Sequence, residues 1–170
     1  MSMQANEIPN IMMASVTPEP TDGAILSALN DLIDVCRDGA AGYTAAWEHL
    51  KDDAMKGVCS QYAEQRGEFV IELQAEVQRM GQTPEPSGTI RAAAHRGWMT
   101  LKAAITNGDH QAILAECHTG DQIAVDTYER VLHQEILPQH LRDLVQHQYD
   151  QIRLARDTME SLASQSRPRA

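Results

Sequence analysis

The chain has 170 residues, enough for one core and little more, since single domains commonly take about 100 to 200 residues. Hydrophobic residues make up 42% of it but aromatics only 4%, and Ala, Leu, Gln, Glu and Met dominate, a helix-forming stock that leaves little material for strands. A formal net charge of -10 without any Lys/Arg stripe repels phosphate backbones, which excludes nucleic acid as an electrostatic partner.

The apolar runs fall far short of the roughly 20 residues a spanning helix needs. The stretch from Met1 to Pro20 carries no Lys, no Arg and no continuous apolar core of a signal peptide, so the expectation is a cytoplasmic protein that avoids membranes. Cys36, Cys59 and Cys117 form no Cys-x-x-Cys spacing, which argues against a disulfide framework or a zinc ribbon and for reduced, buried thiols.

Residues 1–21, with Pro9, Pro18 and Pro20, read as a flexible arm, and the domain is expected over 22–163. Helix one begins at Asp22 and carries Ile25, Leu29, Leu32, Ile33, Cys36, Ala40, Tyr43, Trp47 and Leu50, three or four apart as one helix face requires. Helix two carries Met55, Val58, Cys59, Tyr62, Phe69, Leu73, Val77 and Met80, and Gly81 with the turn-rich run from Thr83 to Gly88 ends it. Between them Lys51-Asp52-Asp53 holds neither Gly nor Pro. Length decides for a tight hairpin there: one helix over 22–80 would be about 88 Å long at 1.5 Å per residue, and Asp52 or Asp53 can cap a new start.

A shorter crossover helix is expected over about 89–106, with Ile90, Ala94, Trp98, Leu101 and Ile105, stopped by Asn107-Gly108. Helix three starts at Asp109 and presents Ile113, Leu114, Cys117, Ala124, Tyr128, Val131 and Leu132 before Pro138. Pro138 suits the first turn of helix four, which presents Leu141, Leu144, Val145, Ile152, Ala155, Met159 and Leu162. Residues 164–170 read as a disordered tail. The fold class is therefore all-α: a four-helix bundle with two short connections and one long crossover, the ferritin-like arrangement.

Four segments carry a resemblance: the run from Leu29 to Gly39, Tyr62-Ala63-Glu64-Gln65-Arg66-Gly67-Glu68-Phe69, His95-Arg96-Gly97-Trp98-Met99-Thr100-Leu101-Lys102, and Leu114-Ala115-Glu116-Cys117. Over about residues 24–163 the chain resembles a bacterial family of ferritin-like four-helix bundles of unassigned function, within the wider ferritin and rubrerythrin-like group. The resemblance implies the fold. It implies no reaction.

Di-iron bundles hold their metals with a Glu from each of two helices and a Glu-x-x-His from each of the other two. None of His49, His95, His110, His118, His133, His140 and His147 has a Glu or Asp three residues before it, so that motif is absent from this chain. Reading height from helix midpoints and phase from the stripes puts Cys36, Arg66, Asp121 and Gln148 in one central layer. Cys36, seven before Tyr43, stands where rubrerythrin-like helices carry a Glu, and Arg66 with Phe69 stands where Glu-x-x-His would be. A buried guanidinium requires a partner, and Asp121 offers the opposite charge, with Gln148 as donor and acceptor. Such a layer opposes a dication. The competing reading has Arg66 snorkelling sideways to water.

Cys59 lies about 10 Å from that layer along its helix, so the three thiols are not expected to converge. Asp143, His140 and His147 could make an adventitious surface metal site, though such a trio usually marks a solvated face. His95, Arg96 and Trp98 could line a pocket, but Trp98 more simply anchors the crossover helix. No Gly-rich phosphate loop or Ser-His-Asp set stands out. Two functions follow: a non-enzymatic module without cofactor that associates with itself or a protein partner, in stress or stationary-phase physiology, or a metalloprotein binding iron or another metal through a set that includes Cys36, Glu116 and Asp121.

Overall fold

The computed structural model describes residues 21–84 and 100–165. The expected arm over 1–20, the start of the crossover helix with His95, Arg96 and Trp98, and the tail from 166 lie outside the described residues. Within them every regular element is helical and no strand forms.

Helix α1, Asp22–His49, opens at Thr21, whose side chain accepts from the Ala24 amide at 3.4 Å. It closes where Leu50 turns extended (φ -71°, ψ 151°) and is buried. Asp52 then caps α2, Asp53–Arg79, accepting from the Met55 amide at 2.9 Å, so at each of the two helix starts one orphan amide is met by a side chain. The hairpin thus needs no glycine. Helix α2 ends in a Schellman turn: Gly81 adopts φ 72°, its amide bonds the Gln78 carbonyl at 2.9 Å and the Gln82 amide bonds the Val77 carbonyl at 3.1 Å.

The described part of the crossover helix, α3, spans 100–107 and buries Leu101 and Ala104. Gly108 (φ 64°) ends it by the same device, and Asp109 caps α4, His110–His133, accepting from the Ala112 amide at 3.0 Å. Helix α4 stops just past Leu132, before Pro138. Glu135 takes the left-handed conformation (φ 52°), which no helix can continue through, and Leu137 drops into the core beyond it. Helix α5, Gln139–Gln165, follows Pro138, whose carbonyl accepts from the Arg142 amide at 2.9 Å.

Contacts fix how the helices run. Cys36 meets Tyr128 and Tyr43 meets Asp121, so residue numbers fall on α4 as they rise on α1, and that pair is antiparallel. The Tyr128–Gln148 and Gln122–Arg156 bonds make α4 and α5 antiparallel in the same way. Helices α2 and α4 are diagonal and parallel: Arg66 reaches Asp121, and Cys59 is near enough to Cys117 for each to affect the other's ionisation, yet no Cα of one comes within 8 Å of the other among the described residues. Parallel diagonals put the end of α2 and the start of α4 at opposite ends of the bundle.

The core falls into two apolar halves. One holds Leu29, Leu32, Ile33, Phe69, Leu73, Tyr128, Val145 and Ile152; the other holds Tyr43, Ala46, Cys59, Tyr62, Leu114, Cys117 and Met159, with α3 covering it. Arg66 and Asp121 stand at the junction.

Candidate functional site

Arg66 is fully buried and Asp121 is 2% exposed. Neither reaches water, so each needs the other. Arg66 Nη2 donates to Asp121 Oδ1 at 2.8 Å, and Arg66 Nη1 donates to Gln65 Oε1 at 2.6 Å. The second carboxylate oxygen, Oδ2, accepts from the Tyr43 hydroxyl. The guanidinium carbon lies 5.9 Å from the ring centroids of both Tyr43 and Phe69, within cation–π range, and Tyr62 braces the Tyr43 ring at 5.4 Å. Arg66 Nε finds no acceptor. The snorkelling alternative for Arg66 is excluded by its burial.

Burial raises the Asp121 carboxyl, and Arg66 and Tyr43 pull it back only in part. Burial also opposes the Arg66 charge, but Asp121, Tyr43 and Cys36 together carry its pKa above the ordinary value, so the guanidinium stays charged. The Tyr43 hydroxyl rises well above its usual range because it is buried and beside Asp121, which keeps it a donor.

A second chain of hydrogen bonds lies deeper in the first apolar half. Gln148 Nε2 donates to Glu72 Oε2 at 2.7 Å, and its Oε1 accepts from the Tyr128 hydroxyl at 2.8 Å. Tyr128 has one proton, already given to Gln148, so in its 3.1 Å contact with Cys36 the thiol is the donor. Burial pushes that thiol up to about 11, with Tyr128 and Arg66 offsetting only part of the rise. Cys36 is therefore a protonated, inert thiol at neutral pH.

The four residues read from the sequence as one layer are all buried, but they belong to two networks. Arg66 and Asp121 meet; Cys36 and Gln148 join Tyr128 and Glu72 instead. Helix midpoints misplace the register because the turns set it. On α1 the residues facing Arg66 are Gly39 and Tyr43, while Arg156 reaching Gln122 at 3.2 Å sets the small, buried Ala155 of α5 at the height of the pair. Tyr43, Tyr128 and Glu72 were not singled out from sequence. The signal for the tyrosines was present: each sits on a core-facing stripe, where a buried hydroxyl demands a partner. Glu72 is on an exposed position of α2 and carried no such signal.

Cys36, Glu116 and Asp121 do not assemble into a ligand set, and among the described residues no group of three or more His, Cys, Asp or Glu side chains is placed to hold a metal. Both Asp121 oxygens are already engaged. His140 lies instead 3.8 Å from Glu76, and Asp143 accepts from Gln139 at 2.7 Å. The cysteines divide: Cys36 bonds Tyr128, whereas Cys59 and Cys117 lie in the other apolar half, where each affects the ionisation of the other.

No helix among the described residues is long and apolar enough to cross a membrane. No curated protein matches the chain. A family model described as "Domain of unknown function (DUF2383)" matches residues 24–134, from the first turn of α1 to the end of α4, and leaves α5 outside the matched span. The chain belongs to this DUF2383 family, whose function is unknown.

Proposed function

We propose that the protein is a non-enzymatic helical module of the cytoplasm that acts through its surface, by associating with itself or with a protein partner. The observation supporting this reading is the saturated carboxylate of Asp121. Di-iron bundles place metal-bound carboxylates at mid-height; here a buried guanidinium takes one oxygen of the carboxylate and a tyrosine hydroxyl takes the other. Kinship with ferritin-like bundles draws support from antiparallel neighbours joined by one long crossover. Bacterial origin and a role in stress or stationary phase belong to the same proposal and rest on the resemblance of the sequence motifs. Iron binding through Cys36, Glu116 and Asp121 has no assembled ligand set behind it.

Among the described residues Ile71 on α2 and Leu154 on α5, 67% and 59% exposed, are the aliphatic side chains most available to a partner. Sedimentation velocity over a range of protein concentrations tests the reading. Association that weakens in Ile71→Glu or Leu154→Glu is the expected result. A strictly monomeric chain that also oxidises ferrous iron under air with turnover would overturn it.

A further inference from the structure

The hydrogen bond from Tyr43 to Asp121 sets these residues of α1 and α4 at one height, and the residue just before each is a glycine, Gly42 and Gly120. Both face the α1–α4 seam. Gln122, next after Asp121, reaches Arg156 of α5, so Gly120, a step of about 100° the other way, falls on the flank toward α1. Two turns away the same faces carry Val35 and Thr127, both buried, and the seam is filled there. At Gly42 and Gly120 it is open: among the described residues a Cβ added to either meets nothing within 4 Å.

Arg66 lies beneath this opening. Its Nε is buried and has no acceptor, and it sits 3.5 Å from where a Cβ on Gly39 would stand, three residues before Gly42 on the same flank. The far nitrogens of the guanidinium are engaged, Nη1 by Gln65 and Nη2 by Asp121. A buried N–H carries its desolvation cost until an oxygen reaches it. The glycines clear the path for one, since Gly120 is exposed and Gly39 and Gly42 are half-buried.

We propose that the notch at Gly39, Gly42 and Gly120 binds a small uncharged molecule that presents an amide or hydroxyl oxygen to Arg66 Nε. Charge selects against anions. Asp121 already balances Arg66, and Asp38 and Glu116, each four residues before a notch glycine on its own helix, stand along the rim; burial raises both carboxyls, and a further negative charge beside them is opposed. An ammonium group has no lone pair for the N–H to meet. The ligand is slim, because the space cleared is that of missing side chains between two packed helices. The site is independent of the surface association proposed above, whose aliphatic side chains belong to α2 and α5.

The test follows the Arg66 Nε–H resonance of the full chain by NMR while acetamide or sodium acetate is added. Acetamide should move that resonance saturably, with a Kd below about 0.1 M for a ligand of so few atoms, and acetate should bind at least about tenfold more weakly. Gly39→Ser, whose hydroxyl takes the place facing Nε, should abolish the acetamide shift. Gly57→Ser, at a glycine of α2 with open space around it, should leave the shift intact. Circular dichroism checks that each variant is folded, and cross-relaxation from the acetamide methyl to the Hα atoms of Gly42 and Gly120 in the wild type needs no variant. A shift that rises linearly without saturation, no cross-relaxation to either glycine, binding unchanged in Gly39→Ser, or acetate binding as tightly as acetamide would overturn the assignment.

Discussion

The Arg66 side chain lies across Gly39: a Cβ placed on that glycine would sit 3.4 Å from Arg66 Cγ and 3.5 Å from Cδ and Nε. This proximity explains how an arginine on α2 reaches an aspartate on the diagonal helix. Its stem must pass over α1, and the absence of a side chain at Gly39 leaves the passage open. The Nε left without an acceptor faces the same glycine. A buried donor with no partner costs about 1 to 3 kcal/mol.

Gly39→Ala should therefore be tolerated. The new methyl sits at ordinary contact distance, and replacing a mid-helix glycine gains roughly 0.5 to 1 kcal/mol. Gly39→Ser should gain about 1 kcal/mol more, because a hydroxyl on that Cβ comes within reach of Nε and supplies the missing acceptor. Gly39→Leu should destabilise by displacing the guanidinium. Urea unfolding of the three variants checks the order, and Ser no better than Ala would mean that Nε is already satisfied by water.

The ion pair makes a second, sharper prediction. Arg66→Met and Asp121→Leu each strand a buried charge and should cost about 3 to 5 kcal/mol, whereas the double variant should recover much of that loss. Asp121→Leu also orphans the Tyr43 hydroxyl, so the cycle is cleaner in a Tyr43→Phe background. Coupling near zero in that cycle would contradict a buried contact.

The helical stripes were legible because each runs unbroken at a period of three to four, and the hairpin at Asp52 was legible from length alone. The left-handed turn after α4 was not: it falls on Glu135, a residue with no preference for that conformation. Phase around each helix survived the passage from sequence to structure better than height along it. Arg66 and Asp121 face each other because both phase and height were read correctly for them, and Cys36 and Gln148 went to the neighbouring network because an error of one or two turns leaves phase almost unchanged. The same blindness to height hid the Cys59–Cys117 pair. Cys59 lies off the central layer, yet Cys117 of the diagonal helix is near enough to affect its ionisation.

A third prediction concerns Tyr43. Its hydroxyl donates to an ionised carboxylate, a class of hydrogen bond worth about 1.5 to 3 kcal/mol. Tyr43→Phe should cost that amount. It should also raise the Asp121 carboxyl further, since the hydroxyl is one of the groups pulling it down. Carboxyl NMR titration of Asp121 in both proteins reads that shift directly, and an unchanged titration would mean that the hydroxyl points elsewhere.

The last prediction follows from the Cys36 thiol, which ionises at 9.0 in an exposed setting and at about 11 in the bundle. Between those values the folded chain holds a proton that the unfolded chain has released. Stability linked to Cys36 is therefore fully present below pH 9.0 and is lost as the pH rises through about 11. The two-unit difference corresponds to about 3 kcal/mol. Tyr43 and Tyr128 are raised for the same reason and contribute to the same alkaline loss, so the Cys36 share is isolated by comparison with Cys36→Ala. The stability advantage of the wild type over that variant should shrink steadily between pH 9 and 11, and iodoacetamide should leave Cys36 unmodified in the native state at pH 8 while it alkylates the unfolded chain. An advantage that stays flat over that range, or rapid native-state alkylation of Cys36, would show that the thiol is not held protonated by burial against Tyr128.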